Sequence, residues 1–189
     1  MPADDRRAGP DARLLVSSGP MNRENLWAPW RMEYVSGLDP DPSDAGDCFL
    51  CDAWSRPDED PARHVIHRSG HGIIVLNRYP YTNGHLLVAL GDHVPDLDQI
   101  APAARAELME LTALAHRVLV AAVNPQGANI GVNLGRCAGA GLPGHLHMHV
   151  VPRWSGDTNF MEVIGEVKVI PQALQAVYDQ LMQVIPKVR

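Results

Sequence analysis

Three histidines occupy alternate positions in one short segment, His145-Leu-His147-Met-His149-Val-Val. Alternate residues of a β-strand share one face, whereas the same positions of a helix are spread around its circumference. We therefore predict a strand over 144–151 that carries the three imidazoles on one face. The residues between the histidines are apolar, as expected where the opposite face of a strand is buried.

A row of imidazoles on a sheet has a small number of chemical uses. Histidine acts as a nucleophile, a proton shuttle or a metal ligand because its charge changes near neutral pH. A neutral imidazole can attack phosphorus and form a covalent nucleotidyl intermediate, provided that a neighbouring histidine or carbonyl fixes its tautomer. The alternative is a row of hydrogen-bonded histidines with no chemical role.

A glycine-rich loop leads into the histidine segment. Residues 135–144 contain four glycines. Backbone N–H groups of such loops can converge on an anion, so the loop is a candidate phosphate-binding element. A flexible connection would be an equal alternative if the loop stood alone, but its position beside three histidines favours phosphate binding.

The rest of the chain alternates short apolar runs with longer helical patterns. Strands are predicted over four further segments rich in Val, Ile and Leu: 63–68, 72–77, 84–90 and 127–134. Apolar residues recurring every three or four positions predict a long helix over 102–123 and a final helix over about 171–184. This order favours an α+β domain with helices packed against an antiparallel sheet.

Composition limits the classes of partner. A formal net charge of −6 with 46% hydrophobic residues is typical of a globular protein and disfavours a nucleic-acid partner, although not a nucleotide. No run approaches the roughly 20 apolar residues of a membrane span, and none resembles a signal peptide, so we expect no membrane partner and a cytoplasmic location. Residues 1–22 are expected to form a disordered tail, with Met21 as a candidate natural start, and 23–189 a single domain.

The cysteines indicate a metal half-site. Cys48 and Cys51 have the spacing with which two thiolates bind one tetrahedral zinc ion, but two further ligands are needed. A redox pair and two ordinary buried cysteines are the alternatives. Cys137, in the glycine loop, has no partner in this pattern, and its role stays open.

The histidine segment resembles the motif of the histidine triad (HIT) family, in which three histidines alternate with hydrophobic residues. The resemblance covers roughly residues 26–184. Several further segments are similar to the branch that contains bacterial diadenosine tetraphosphate phosphorylases: WAPWRMEY, LNRYPYTNGHLLVALGDH, GVNLG, PRWSGDTNF and KVIPQAL.

The resemblance implies a HIT-like fold and a nucleotidyltransferase that uses a covalent nucleotidyl-histidine. Phosphorolysis of diadenosine tetraphosphate, or of a related dinucleoside polyphosphate, is the first expectation. If water replaces inorganic phosphate as the acceptor, the protein is a hydrolase of dinucleoside polyphosphates or nucleoside phosphoramidates. A non-catalytic nucleotide-binding module and a zinc-stabilised interaction protein are the alternatives from other classes.

The same resemblance implies roles for individual residues. His147 would be the nucleophile, and His149 would bind the α-phosphate. Asn77 would contact the ribose, and the phosphates would meet a group of residues before the histidines: Asn133, Gly139, Ala140 and Gly141. Phosphorylases often carry Ser or Gln at the position of Gly141, which leaves the acceptor open. Trp154, just past the histidines, is expected either to cover the site and stack on a base or to pack in the core.

Zinc-containing members of the wider family imply a complete ligand set of Cys48, Cys51, His93 and His145. Four protein ligands leave no open position, so this zinc would be structural. His85 matches a recurrent family histidine and is interpreted either as support for the site through a hydrogen bond or as a structural residue. Family members also imply a homodimer formed through the long helix and an edge strand.

Overall fold

A computed structural model describes residues 48–157 and 170–188. Within these ranges there are five strands: β1 (Val65–Arg68), β2 (Gly72–Leu76), β3 (Leu86–Leu90), β4 (Gly127–Val132) and β5 (His147–Arg153). The same described residues contain three α-helices: α1 (Phe49–Ser55), α2 (Pro102–Val123) and α3 (Leu174–Val188). The predicted tail 1–22 and Met21 lie outside the described residues. In the described part of the chain, no helix has the length and apolar character needed to cross a bilayer.

The strands form one antiparallel sheet in the order β1-β2-β3-β5-β4. The last of these five strands in sequence, β5, therefore lies between β3 and the edge strand β4. In this register His147 is opposite Ala89 and His149 is opposite Leu87. The α+β fold with an antiparallel sheet is confirmed, and its histidine strand lies inside the sheet.

Helices α2 and α3 cover one face of the sheet. Leu146, Met148 and Val150 join the same buried cluster as Leu119 of α2 and Leu181 of α3. Burial of these side chains is the main stabilising contribution on this face. The three histidines have the opposite parity, so they lie on the other face, as the alternation predicted.

Helix α1 packs on the histidine side of the sheet. Leu50 and Ala53 of α1 form a second, smaller apolar cluster with inward residues of the strands, Val65, Ile73, Val75, Leu87 and Ala89. This packing brings Cys48 and Cys51, at the start of α1, close to the first residue of the histidine row. It explains why β2 and β3 are buried on both faces.

Two predicted elements differ from the structure at both ends, whereas the other predicted strands differ by one or two residues at one end. The strand predicted over 144–151 begins at His147, because the His145 N–H turns back to the Leu142 carbonyl and the Leu146 N–H bonds to Val94. The last helix, predicted over 171–184, instead spans Leu174–Val188. Its final turn contains Pro186 and buries the adjacent Ile185, so tertiary packing extends the helix past the proline.

Candidate active site and metal cluster

The tautomer of His147 is set by a backbone carbonyl. Its Nδ1 lies 2.8 Å from the carbonyl oxygen of His145. A carbonyl only accepts hydrogen bonds, so Nδ1 carries the proton and donates it. In the neutral ring Nε2 then holds the lone pair. Burial lowers the pKa of His147, against the opposing effect of the His145 carbonyl, so the ring is neutral and can act as a nucleophile.

A chain of hydrogen bonds sets the tautomer of His149. The backbone N–H of Tyr81 donates to Nδ1 of His85 over 3.1 Å, which makes that nitrogen an acceptor. The side-chain amide nitrogen of Asn77 lies 3.1 Å from the same atom. Nε2 of His85 therefore carries the proton and donates it to Nδ1 of His149, 3.0 Å away. The remaining proton of neutral His149 is on Nε2.

Nε2 of His149 is a buried donor with no hydrogen-bond partner among the described residues. Burial and the neighbouring His147 lower the pKa of His149 to about 4, so the ring is neutral at physiological pH. Leaving a buried polar group unpaired costs about 1–3 kcal/mol. A phosphate oxygen placed here would accept this hydrogen bond. The rings of His147 and His149 are 4.9 Å apart, so one phosphate group can meet both.

Four side chains form a cluster beside this site. The candidate ligand atoms of Cys48, Cys51, His93 and His145 all lie within 4.8 Å of one another. Sγ of Cys48 is 3.2 Å from Nδ1 of His145, and Sγ of Cys51 is 3.2 Å from Nδ1 of His93. A tetrahedral ion bound at about 2.3 Å from sulfur and about 2.0 Å from nitrogen would hold such a pair about 3.5 Å apart. The cluster therefore has the dimensions of a Cys2His2 metal site.

Protonation states in this cluster also suit a metal ion. Nε2 of His145 donates to the carbonyl of Leu90 over 2.9 Å, which leaves the lone pair on Nδ1, the atom nearest the thiols. Such an outer hydrogen bond is the usual support of a metal-binding imidazole. Burial, followed by the hydrogen bond and charge of Cys48, raises the pKa of Cys51 to about 11. Binding of a metal would therefore displace a thiol proton.

His145 joins the cluster to His147. Its side chain reaches the two cysteines, while its carbonyl accepts the hydrogen bond from His147. A change in the cluster can therefore move the group that fixes the tautomer of His147.

Among the residues predicted to bind substrate, Asn77 is linked to the histidines and Asn133 to the glycine loop. Asn77 contacts His85 and through it reaches His149. Asn133 donates to the carbonyl of Gly139 over 3.4 Å, which connects the end of β4 to the glycine loop. Gly139 has a φ of +86°, a conformation that favours glycine. No described residue lies close to the position that a Cβ at Gly141 would take, so a side chain would fit there.

Trp154 is not placed with the histidines. Its indole N–H donates to the carbonyl of Asn124, at the end of α2. Pro152 and Leu119 of α2 both lie next to Gly84, so Pro152 is on the helix-covered face of the sheet. Trp154 follows Pro152 by two positions and therefore shares that face. The expectation that Trp154 covers the site or stacks on a base therefore receives no support within this chain. Proximity in sequence was misleading because the sheet separates the two faces.

Two residues gain importance from the structure. The contact of His85 with His149 favours a supporting role for His85 over a purely structural one. Tyr81 was not predicted, although its ring stacks on His85 and its backbone N–H contacts the same imidazole. Its position in the turn between Asn77 and His85 is the only sequence signal that could have indicated it.

The comparisons with known proteins agree with this geometry. The HIT domain family model matches residues 59–156. A relative named AP-4-A phosphorylase, from Mycobacterium tuberculosis, is 41% identical over 156 residues, which cover 80% of this chain and 79% of the relative.

Two solved structures have a similar fold. A histidine triad nucleotide-binding protein from Sulfolobus tokodaii matches with a TM-score of 0.59 and 26% identity, over 75% of this chain and 91% of its own. A Zn-bound histidine triad family protein from Mycobacterium smegmatis matches with a TM-score of 0.61 and 24% identity, over 75% and 94%. With a family model that spans the sheet and its histidine strand, and a relative that aligns over most of both chains, this protein belongs to the HIT family.

Proposed function

We propose that this protein is a nucleotidyltransferase that cleaves diadenosine tetraphosphate by phosphorolysis, through a covalent intermediate on His147. The proposal rests on two neighbouring groups. One is the unprotonated Nε2 of His147, and the other is the Nε2–H of His149, which has no hydrogen-bond partner among the described residues. The choice of substrate is supported by the Mycobacterium tuberculosis relative, whose name specifies AP-4-A phosphorylase.

In the first step, Nε2 of His147 attacks the α-phosphorus and forms a P–N bond. The bond from phosphorus to the bridging oxygen breaks, and its electron pair leaves with ATP. His147 becomes positively charged, and the His145 carbonyl stabilises that charge through the Nδ1 proton. The N–H of His149 donates to a non-bridging oxygen as negative charge develops there.

In the second step, an oxygen of inorganic phosphate attacks the same phosphorus. The P–N bond breaks, its electron pair returns to Nε2 of His147, and ADP is released. The overall products are one ATP and one ADP, and the enzyme returns to its starting state. No base has to deprotonate His147 at any point, since its ring is neutral before each cycle.

We assign the substrate contacts to residues around this phosphate position. Asn77 would contact the ribose hydroxyls, a role consistent with its position at the end of β2 beside His85. Asn133 and the backbone N–H groups of Gly139, Ala140 and Gly141 would bind the phosphates, in keeping with the contact between Asn133 and the loop. Trp154 is not included, because its indole contacts the end of α2.

We assign zinc to the Cys2His2 cluster. Cys48, Cys51, His93 and His145 would supply all four ligands, and such closed sites are structural. The ion would cross-link the start of α1, the segment that follows β3 and the segment that precedes β5. By holding the side chain of His145, the ion would keep the His145 carbonyl fixed beside Nδ1 of His147.

We also propose that two copies associate through β4 and α2. The support is that β4 is an edge strand with Ile130 46% exposed and that α2 leaves Val120 46% exposed. Unpaired backbone groups on an edge strand are a natural pairing surface. Sedimentation equilibrium measures the mass that this proposal predicts, twice that of the chain.

Hydrolysis is the second candidate, and Gly141 is the observation that favours it, since a side chain that often occurs in phosphorylases is missing there. Incubation with diadenosine tetraphosphate, with and without inorganic phosphate, distinguishes the candidates. We expect ATP and ADP to form in equal amounts and only with phosphate. Formation of ATP and AMP without phosphate would establish a hydrolase, and nucleotide binding without products would establish a binding module.

A further inference from the structure

The ring of Tyr81 lies over the hydrogen-bonded pair formed by His85 and His149. Its centroid is 4.7 Å from that of His85, with 29° between the planes, and 5.6 Å from that of His149, with 20° between the planes. Tyr81 is 43% exposed, so its outer face meets solvent while its inner face covers the two imidazoles. The ring is therefore a cover over the bond that joins them.

The backbone of the same residue acts on the same pair. The N–H of Tyr81 donates to Nδ1 of His85, and this contact determines which nitrogen of His85 donates to His149. A single residue thus fixes the protonation of the first imidazole with its backbone and packs against both imidazoles with its side chain. None of the residues identified from the sequence has both contacts.

We propose that Tyr81 is a positioning residue that holds His85 and His149 in the arrangement in which His149 presents Nε2–H to the substrate phosphate. The proposal rests on the proposed function, which gives His149 that role. The ring excludes water from the bond between the two imidazoles, and water would otherwise compete for Nδ1 of His149. It also limits rotation of both rings, which keeps the donor directed at one position.

The exposed outer face of Tyr81 allows a competing role that the experiment must distinguish. An aromatic face beside a nucleotide site can stack on a base. Loss of a base-stacking contact weakens ground-state and transition-state binding equally and raises KM without changing kcat. Loss of a positioning contact lowers kcat, because the donor of His149 is then misplaced as the transition state forms.

The kinetic test compares Tyr81→Leu and Tyr81→Phe with the wild type. All retain the backbone N–H, so the comparison isolates the ring. We expect Tyr81→Leu to lower kcat about 10- to 100-fold with KM changed by less than about threefold. Tyr81→Phe is expected to stay within about threefold of wild type. Tyr79→Leu, which removes an exposed ring from the same turn, is the matched control and should leave kcat unchanged.

A second readout needs no turnover. Long-range ¹H–¹⁵N spectra of histidine-labelled protein report which nitrogen of each ring is protonated, with the His149 signals identified from a His149→Gln spectrum. We expect Nε2-protonated His149 in the wild type and Tyr81→Phe, and a tautomer mixture in Tyr81→Leu. An unchanged tautomer in Tyr81→Leu, a rise in KM alone, or an equal loss of kcat in Tyr79→Leu would overturn the proposal. If the wild type does not turn over diadenosine tetraphosphate, the proposed function fails, and the spectra still decide the role of Tyr81.

Discussion

Replacement of His147 by Ala is expected to lower kcat for diadenosine tetraphosphate by about 10⁴-fold or more. The substitution removes the atom that forms the P–N bond, and no other described imidazole has both a carbonyl-fixed tautomer and a position beside the His149 donor. Folding and nucleotide binding should change little, since the phosphate, ribose and loop contacts remain. Initial rates, nucleotide binding by calorimetry and circular dichroism measure the three quantities.

His71→Ala provides the matched control for this substitution. The His71 side chain is 71% exposed and lies 3.7 Å from Glu107, away from β5. Its replacement should leave kcat within about twofold of wild type, because isolated surface changes have small effects. If His147→Ala retained a tenth or more of the wild-type kcat, the assignment of the nucleophile would be wrong.

Cys51→Ser is expected to reduce bound zinc from about one ion per chain to less than about a tenth, and to lower Tm by about 10 °C or more. Cys51 contacts both His93 and His145, so its loss breaks the cluster at its centre. A structural zinc site contributes its binding free energy to folding. For a chain of this size about 1 kcal/mol corresponds to about 2–4 °C, so losing several kcal/mol gives the stated shift. Plasma emission spectrometry and thermal unfolding measure the two effects.

Cys137→Ser is the control for the metal site, because Cys137 is exposed and lies outside the cluster. It should retain the zinc and the Tm of the wild type. Activity gives a further comparison: Cys51→Ser should also lose kcat, since His145 supports His147 through its carbonyl. Wild-type protein purified without chelators and containing far less than one zinc per chain would contradict the assignment.

The placement of the histidines was predictable because it depends on local geometry alone. Alternation in a strand puts His147 and His149 on one face and Leu146 and Met148 on the other, whatever the rest of the fold. The exact start of the strand was not predictable in this way. It depends on the contacts of Leu142 and Val94 with the residues before β5, and those contacts come from a turn and a distant loop.

The spacing of the cysteines predicted only two of the four members of the metal cluster. Cys48 and Cys51 indicated two ligands, whereas His93 and His145 followed from the family resemblance. Spacing alone does not connect α1 with β5, because the contact requires packing of α1 on the histidine face. The hydrogen bond that Nε2 of His145 donates to the Leu90 carbonyl, which selects the tautomer of His145, also depends on tertiary structure.

Long-range contacts account for the two largest differences at the site. Trp154 follows the histidines closely in sequence, but residue parity and the end of α2 place it on the opposite side of the sheet. Tyr81 lies more than sixty residues before His149, yet its ring covers that imidazole. Sequence distance is therefore a poor guide to which residues meet at the site. For Tyr81 the reason is that β3 pairs with β5, which brings the turn before β3 close to His149.

The most direct test of the central claim is the mass of the protein during turnover. Wild-type protein is mixed with diadenosine tetraphosphate without inorganic phosphate, quenched at alkaline pH to preserve P–N bonds, and digested for peptide mapping. We expect one adenylyl group attached to His147, which disappears as ADP forms when phosphate is added. Turnover with no adduct, or an adduct on a different residue, would contradict it.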